Sequence, residues 1–335
     1  MRALHTPKGA LKRGALLAWA NWPVAVIQAS ADSLFKMVVA VPFIGGLFLV
    51  ALVVGAEPRA LLDLDARDLA ATVAALLLSR SLVLVAFVAA VAVAALGGSM
   101  LVFLVKGGSV SILVEAERHA AAVEAHPLGQ ADLTTARQFS LERFIASAQA
   151  LFGRYTVLGL GLVTVYLASA AVYFVVVFGR GESAVPWWSA VLATAAFVAW
   201  ITLVNWLYLL VQVAIAAEDC GVLTAIRRVA SFVRHAGRPV GGVFLVVLVL
   251  VGAATAASLA ASAALGLVAW VPLVWFAVWP LQLVAWLVRA VVFQYLTLAS
   301  IGAYLTLYRA FADDATTIGS RIGSRIGSRI GPRST

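Results

Sequence analysis

Six stretches of this chain are long and apolar enough to cross a lipid bilayer, and that excludes most folds at once. They are residues 37–55, 82–105, 155–178, 187–217, 240–264 and 283–308. A hydrocarbon core about 30 Å thick takes about 20 residues of helix. Without water in that core, every backbone N–H and C=O must be bonded internally, which a helix does within one segment. The expected fold is all-α: a polytopic integral membrane helix bundle with six transmembrane helices. Composition agrees. The 335 residues are 63% hydrophobic and 12% charged, against about 25% charged in a soluble domain.

The net charge of +9 invites a nucleic-acid reading, but no nucleic acid is implied. The charges sit in short segments between apolar runs, as the positive-inside rule requires. With six spans, the N-terminus, the 106–154 loop, the 218–239 loop and the C-terminal tail share one side. That side carries 19 Lys and Arg and the other carries 4, namely Arg59, Arg67, Arg80 and Arg180. The bias predicts N-in/C-in topology in a bacterial cytoplasmic (inner) membrane.

Three regions follow. Residues 1–36 form a cytosolic N-terminus and interfacial segment. Residues 14–33 lack a clean signal-peptide core and put Trp19 and Trp22 at head-group level. Residues 37–309 are the six-span domain. Gly266–Gln282, with Pro272, Pro280 and three tryptophans, reads as an interfacial or re-entrant segment. Residues 310–335 carry three Ile-Gly-Ser-Arg units and one Ile-Gly-Pro-Arg. With Gly in every unit, at about 1 kcal/mol each relative to Ala, this tail reads as disordered and basic. The single cysteine, Cys220, excludes an internal disulfide.

The most informative polar stretch is Ala216–Arg238. As a helix it gathers Val222, Leu223, Ile226, Val229, Phe232 and Val233 on one face, at spacings of 3, 4 and 7. Arg227, Ser231, Arg234, His235 and Arg238 take the other, and Glu218 and Asp219 stand at its start, which suits the helix dipole. This is the pattern of an amphipathic helix in a membrane surface, facing anionic head groups. Arg227, Arg228, Arg234 and Arg238 are the candidate lipid- or partner-binding residues. The expected partners are membrane lipids with anionic head groups, and a protein partner or a second copy of the chain. The 106–154 loop mirrors this. Gly107 and Gly108 end the second span, Ser109–Ala125 forms a helix, and Ser140 caps another over Ser140–Phe152 that runs into the third span.

Within the spans the polar residues stand out. Thr194, Thr202, Asn205, Tyr208 and Gln212 form a stripe in the fourth, and Gln282, Arg289, Ser300 and Tyr304 in the sixth. Asn205, Gln212 and Arg289 are the candidate intramembrane sites. A mid-bilayer Arg costs about 2.5–3.5 kcal/mol on insertion scales. Arg289 has three readings: snorkelling to the outer head groups, pairing with Asn205 or another buried polar group, or contacting a lipid phosphate in a cavity. The fifth span, rich in Gly, Ala and Ser from Gly252 to Ser262, suits close helix packing. Glu115, His119, Glu124 and His126 lie in one loop, but a metal site needs three or four ligands in fixed geometry, and no HExxH or paired CxxC supports one. No Walker A loop, GxSxG or phosphatidyltransferase pattern occurs. No catalytic residue, cofactor or metal is implied.

At Glu218, Asp219, Cys220, Gly221 and Val222, followed by Ala225, Arg228 and Ser231 to Arg234, the chain resembles a broad group of bacterial and archaeal six-span proteins. These are similar to the membrane domain attached to some glycerophosphodiester phosphodiesterases. Gly107, Gly108 and the run Tyr304 to Arg309 fit that group, and the likeness covers residues 30–310 in layout. The resemblance implies a helical bundle with cytosolic amphipathic linkers. It carries over no activity, because the soluble catalytic barrel has no counterpart here. Three functions stay open: a non-enzymatic protein that organises lipid or partner proteins through basic cytosolic helices, a permease-like transport component, and a membrane-embedded enzyme of lipid metabolism. The 113–127 segment does not show the EAA-type loop of ABC permeases.

Overall fold

A computed structural model describes residues 6–54, 81–121, 123–124, 130–178, 187–269 and 275–329. Every element among them is an α-helix: α1 (Pro7–Ala20), α2 (Trp22–Val54), α3 (Ser81–His119), α4 (Gln130–Ala136), α5 (Leu141–Phe178), α6 (Trp187–Glu218), α7 (Val222–His235), α8 (Gly237–Ala269) and α9 (Trp275–Arg329). Six helical stretches are long and apolar enough to cross a membrane: Trp22–Gly46, Val85–His119, Asp132–Val177 (which takes in most of α4 and of α5), Trp188–Glu218, Gly237–Leu267 and Pro280–Asp313. The chain is therefore a multi-pass helical membrane protein. The acidic segment before Ser81, His126, and the turn from Arg180 to Pro186 lie outside the described residues.

The helices are longer than a bilayer needs. At 1.5 Å per residue, the 38 residues of α5 extend about 57 Å, nearly twice the hydrocarbon thickness. Burial follows the excess. The chain forms two compact units, Met1–Val26 with Lys106–Thr335, and Ile27–Val105. In the larger unit, α6 is buried from Leu210 to Ile215 but exposes Val191, Leu192 and Val198, and α9 is buried from Leu298 to Tyr308 but exposes Leu281 to Leu287. Each of these two helices has one half packed in protein and one half with apolar side chains facing outward, as lipid contact demands. The basic segments cluster with the packed halves.

Helix α1 is clamped to this packed end. A Cβ on Gly14 would lie 2.3 Å from the Ala299 carbonyl oxygen and 2.4 Å from the Ala303 nitrogen, and one on Gly302 would lie 2.9 Å from Gly14 Cα. Only glycine at both positions lets the two backbones meet, the close-approach device of membrane helices. In the smaller unit, α2 and the first half of α3 meet through rings in glycine notches. Phe35 lies against Gly98 and Phe87 against Gly46, and Phe43 packs edge-on to Phe87 at 5.7 Å.

Several expectations are corrected. Helix α2 begins at Trp22 rather than Met37, so the proposed interfacial segment is α1 plus the first turns of α2. Its charges do not break it, because Lys36 pairs with Asp32 one turn earlier at 2.6 Å. Gly107 and Gly108 do not end a helix either. They lie within α3, where they admit α5: a Cβ on Gly108 would come within 2.9 Å of the Phe144 ring and carbonyl oxygen. Ser109–His119 is therefore the continuation of the second span. Of Gly266–Gln282, the ends belong to α8, which runs to Ala269, and to α9, which starts at Trp275; residues 270–274 lie outside the described residues. The Ile-Gly-Ser-Arg units up to Arg329 continue α9 as helix instead of being disordered. Helix extension from an existing, packed nucleus needs far less than a new start, and Leu298–Tyr308 supplies that nucleus. Ser140 does cap α5, its hydroxyl accepting the Arg143 N–H at 3.3 Å.

Candidate functional site

The α6–α7 corner fixes the basic helix in place. Helix α6 ends at Glu218, and Asp219 turns the chain with φ of 50°, a left-handed conformation that Asp and Asn tolerate better than most residues. Three neighbours hold this corner. Tyr308 of α9 donates its hydroxyl to Glu218 Oε1 at 2.5 Å, Arg154 of α5 pairs with Asp219, and Arg228 of α7 lies 3.5 Å from Glu218. Cys220 follows, with its Sγ 3.9 Å from the Ala214 carbonyl oxygen. Burial first, and then the Glu218 carboxylate, push its thiol above the usual range. At neutral pH it is expected to stay protonated and to alkylate more slowly than in the denatured protein, with the rate rising at alkaline pH. Iodoacetamide labelling followed by mass measurement checks this; native labelling as fast as denatured would contradict it.

Helix α7 divides its apolar residues differently from the sequence pattern. Ala225, Val229 and Phe232 are buried, the last packing on Tyr308 and Phe311 of α9 at 5.3 and 5.5 Å between ring centres. Leu223 and Ile226 are exposed, at 73% and 45%. Residues 225, 229 and 232 form the row that faces α6 and α9, which turns residues 223, 226, 227, 230 and 234 outward. One exposed face thus combines Leu223 and Ile226 with Arg227 and Arg234. Arg227, Arg228, Arg234 and Arg238 are all exposed. Arg228 is engaged by Glu218, whereas Arg227, Arg234 and Arg238 form no ion pair among the described residues. His235 closes the last turn, with Nδ1 2.8 Å from the Ser231 carbonyl oxygen.

A polar cluster between α1 and the end of α3 was missed by sequence reading. Arg13 of α1 is 6% exposed. Its Nε donates to both Glu117 oxygens at 3.0 and 2.8 Å, and Nη1 to Glu124 Oε2 at 2.8 Å. Its remaining donors reach the Ala120 and Ala121 carbonyl oxygens, so one side chain both neutralises Glu117 and caps the end of α3. Burial opposes the Arg13 charge, but Glu117 and Glu124 outweigh it and hold the guanidinium above its ordinary value. Lys12 donates to the Glu124 carbonyl oxygen at 2.7 Å. Next along, Asn21 is fully buried and uses all its capacity, donating to the Leu17 and Ala136 carbonyls and accepting from the Gln138 and Phe139 N–H groups.

The polar stripe of α6 stitches that helix to α5. The Tyr166 hydroxyl donates to Asn205 Oδ1 at 2.5 Å, Tyr173 and Thr194 share a hydrogen bond of 2.9 Å, and Trp200 Nε1 donates to Ser169. Gln212 is buried, and its carbonyl oxygen accepts the Tyr155 hydroxyl at 3.0 Å. In α9, Ser300 bonds the Thr297 carbonyl oxygen and Tyr304 accepts from Trp206 Nε1 at 3.0 Å. Asn205 pairs with Tyr166 and not with Arg289. Arg289 instead lines a cavity of about 520 Å³ between α8 and α9, together with Gln282, Ser258 and Ser262. Glu115 and His119 contact each other at 3.3 Å. Among the described residues no group of three or more His, Cys, Asp or Glu is placed to hold a metal.

The fold defines a class, a multi-pass helical membrane protein with a packed polar end. The chain matches no protein-family model, no curated protein and no solved structure.

Proposed function

We propose that this protein is a non-enzymatic organiser of anionic lipid at a membrane surface, with both termini and α7 on the cytosolic side of a bacterial inner membrane. The observation that carries this reading is the exposed face of α7. Leu223 and Ile226 stand beside Arg227 and Arg234 on a helix whose other side is held against α6 and α9. Apolar side chains that enter the acyl boundary, flanked by arginines at head-group level, suit an anionic leaflet. Each such arginine contributes about 1 kcal/mol near a charged membrane surface. The 19-to-4 split of Lys and Arg supports the orientation. Against the transport reading stands the use of the α6 stripe. Thr194 and Asn205 bond to α5 and Thr202 to its own helix, which makes that part of the stripe interhelical glue instead of a path lining.

Native mass spectrometry of the full chain, extracted gently from its own membrane, tests this. Retained anionic phospholipid is expected on the wild type. It should fall about 100-fold in apparent affinity when Arg227, Arg234 and Arg238 are all changed to Glu, at about 1 kcal/mol for each lost contact. A protein held in fixed ratio, with no lipid dependence on these arginines, would make the chain a subunit of a larger assembly and contradict the lipid role.

A further inference from the structure

We infer that the cavity between α8 and α9 holds an anionic phospholipid of the surrounding leaflet, with its phosphate on Arg289 and an acyl chain along the small-residue face of α8. The cavity, about 520 Å³, is lined by Ser258 and Ser262 from α8 and by Gln282, Trp286, Arg289 and Phe293 from α9. That volume lies in the range of sites that enclose small ligands.

The charge identifies the occupant. Arg289 forms no ion pair among the described residues; its recorded contact is the Phe293 ring, 5.8 Å from Cζ to the centroid. Its own stretch of chain offers no counter-charge, since no Asp or Glu occurs between Asp219 and Asp313, and no carboxylate lines the cavity. An arginine within an apolar span almost always faces a partner or a polar cavity, and a bound anion supplies the negative charge that the cavity lining lacks. A second copy packed symmetrically on this face would bring a second Arg289 and no acid. A water-soluble anion would gain nothing from the apolar remainder of the wall, which includes Ala257, Ala261, Trp286 and Phe293. A phospholipid satisfies both parts. Its phosphate accepts paired guanidinium N–H groups, Ser258, Ser262 and Gln282 can donate to phosphate or ester oxygens, and the alanines leave room for a chain. This site is separate from the α7 surface and does not depend on it.

The test uses the full-length protein in phosphatidylcholine vesicles, doped with phosphatidylglycerol that carries a photoactivatable group in its acyl chain. After irradiation, labelled peptides are mapped. Label is expected within residues 254–265 and 282–293, and much less of it from a phosphatidylcholine probe of the same chain. Arg289→Leu should lower it about tenfold or more, the loss expected for a charge-assisted contact, while Arg289→Lys keeps most of it. Ala261→Phe fills the cavity but leaves the arginine, and should lower labelling to a similar extent even where Arg289→Leu fails to fold. Changing Arg227, Arg234 and Arg238 to Glu should leave labelling here unchanged. Equal labelling by the two head groups, or indifference to Ala261→Phe, would overturn the proposal. Competition by inorganic phosphate would overturn the lipid source and point to a free anion.

Discussion

Replacing Arg13 with leucine is expected to destabilise the larger unit by about 3–5 kcal/mol, the cost of breaking a buried ion pair from one side. Without the guanidinium, Glu117 is left buried without its main partner, which is costly whether it stays charged or takes up a proton, and the Ala120 and Ala121 carbonyl oxygens lose a donor. Glu124 is less affected, because its side chain is 16% exposed and can turn to water. Unfolding in mixed micelles, followed by helix signal, measures the loss. The double variant Arg13→Leu with Glu117→Leu should recover most of it, since a pair replaced by apolar side chains is often neutral. If the double variant is as unstable as Arg13→Leu alone, the destabilisation stems from the α3 cap and not from stranded charge. If Arg13→Leu costs less than about 1 kcal/mol, as an exposed pair would, the network does not hold α1.

The second large effect is expected at Gly14. A leucine there meets the backbone of Ala299 and Ala303, with its Cβ at 2.3 and 2.4 Å. Backbone of a buried helix cannot step aside as a side-chain tip can, so the cost should reach or exceed the usual overpacking penalty of about 1–3 kcal/mol. The predicted outcome is release of α1 from α9. It reads out as rapid tryptic cleavage after Lys8, Lys12 or Arg13 under conditions where the wild type resists. Tyr295, whose hydroxyl bonds the Ala15 carbonyl oxygen at 3.0 Å, would lose that partner in the same event. Unchanged proteolysis would mean that α1 docks without the Gly14–Gly302 approach.

What was legible in the sequence follows from the range of each signal. Apolar runs report the spans because transfer to lipid is decided residue by residue within one helix. Ser140 was legible as a cap because its partner is three residues away. The α7 helix was legible in extent but not in facing. Its apolar positions span more than half the helix circumference, and only the contacts with Tyr308 and Phe311 select Ala225, Val229 and Phe232 for burial. Arg13 and Glu117 are separated by 104 residues, and nothing local to either marks the other. Gly107 and Gly108 show the ambiguity of glycine. A pair after an apolar run reads as a helix end, yet here it is a notch for Phe144, and only the position of α5 tells the two apart. The tail errs in the same direction, because propensity alone ignores the packed helix that precedes it.

The Arg13 cluster, the Asn21 junction and the α6–α7 corner together explain how a basic surface is held at one end of a lipid-facing bundle. Charges that balance one another are turned inward, in Arg13 with Glu117 and Glu124. Arg227, Arg234 and Arg238, which form no ion pair among the described residues, are turned outward. The most direct measurement is the selectivity of the reconstituted full chain for spin-labelled phosphatidylglycerol over phosphatidylcholine, read as the fraction of motionally restricted lipid. A clear preference for phosphatidylglycerol is expected at low salt. It should shrink when Arg227, Arg234 and Arg238 are changed to Glu, and shrink likewise at about 1 M salt, where screening acts within about 3 Å. Equal restriction of the two lipids, or a preference untouched by both the triple change and salt, would contradict a lipid-organising role for α7.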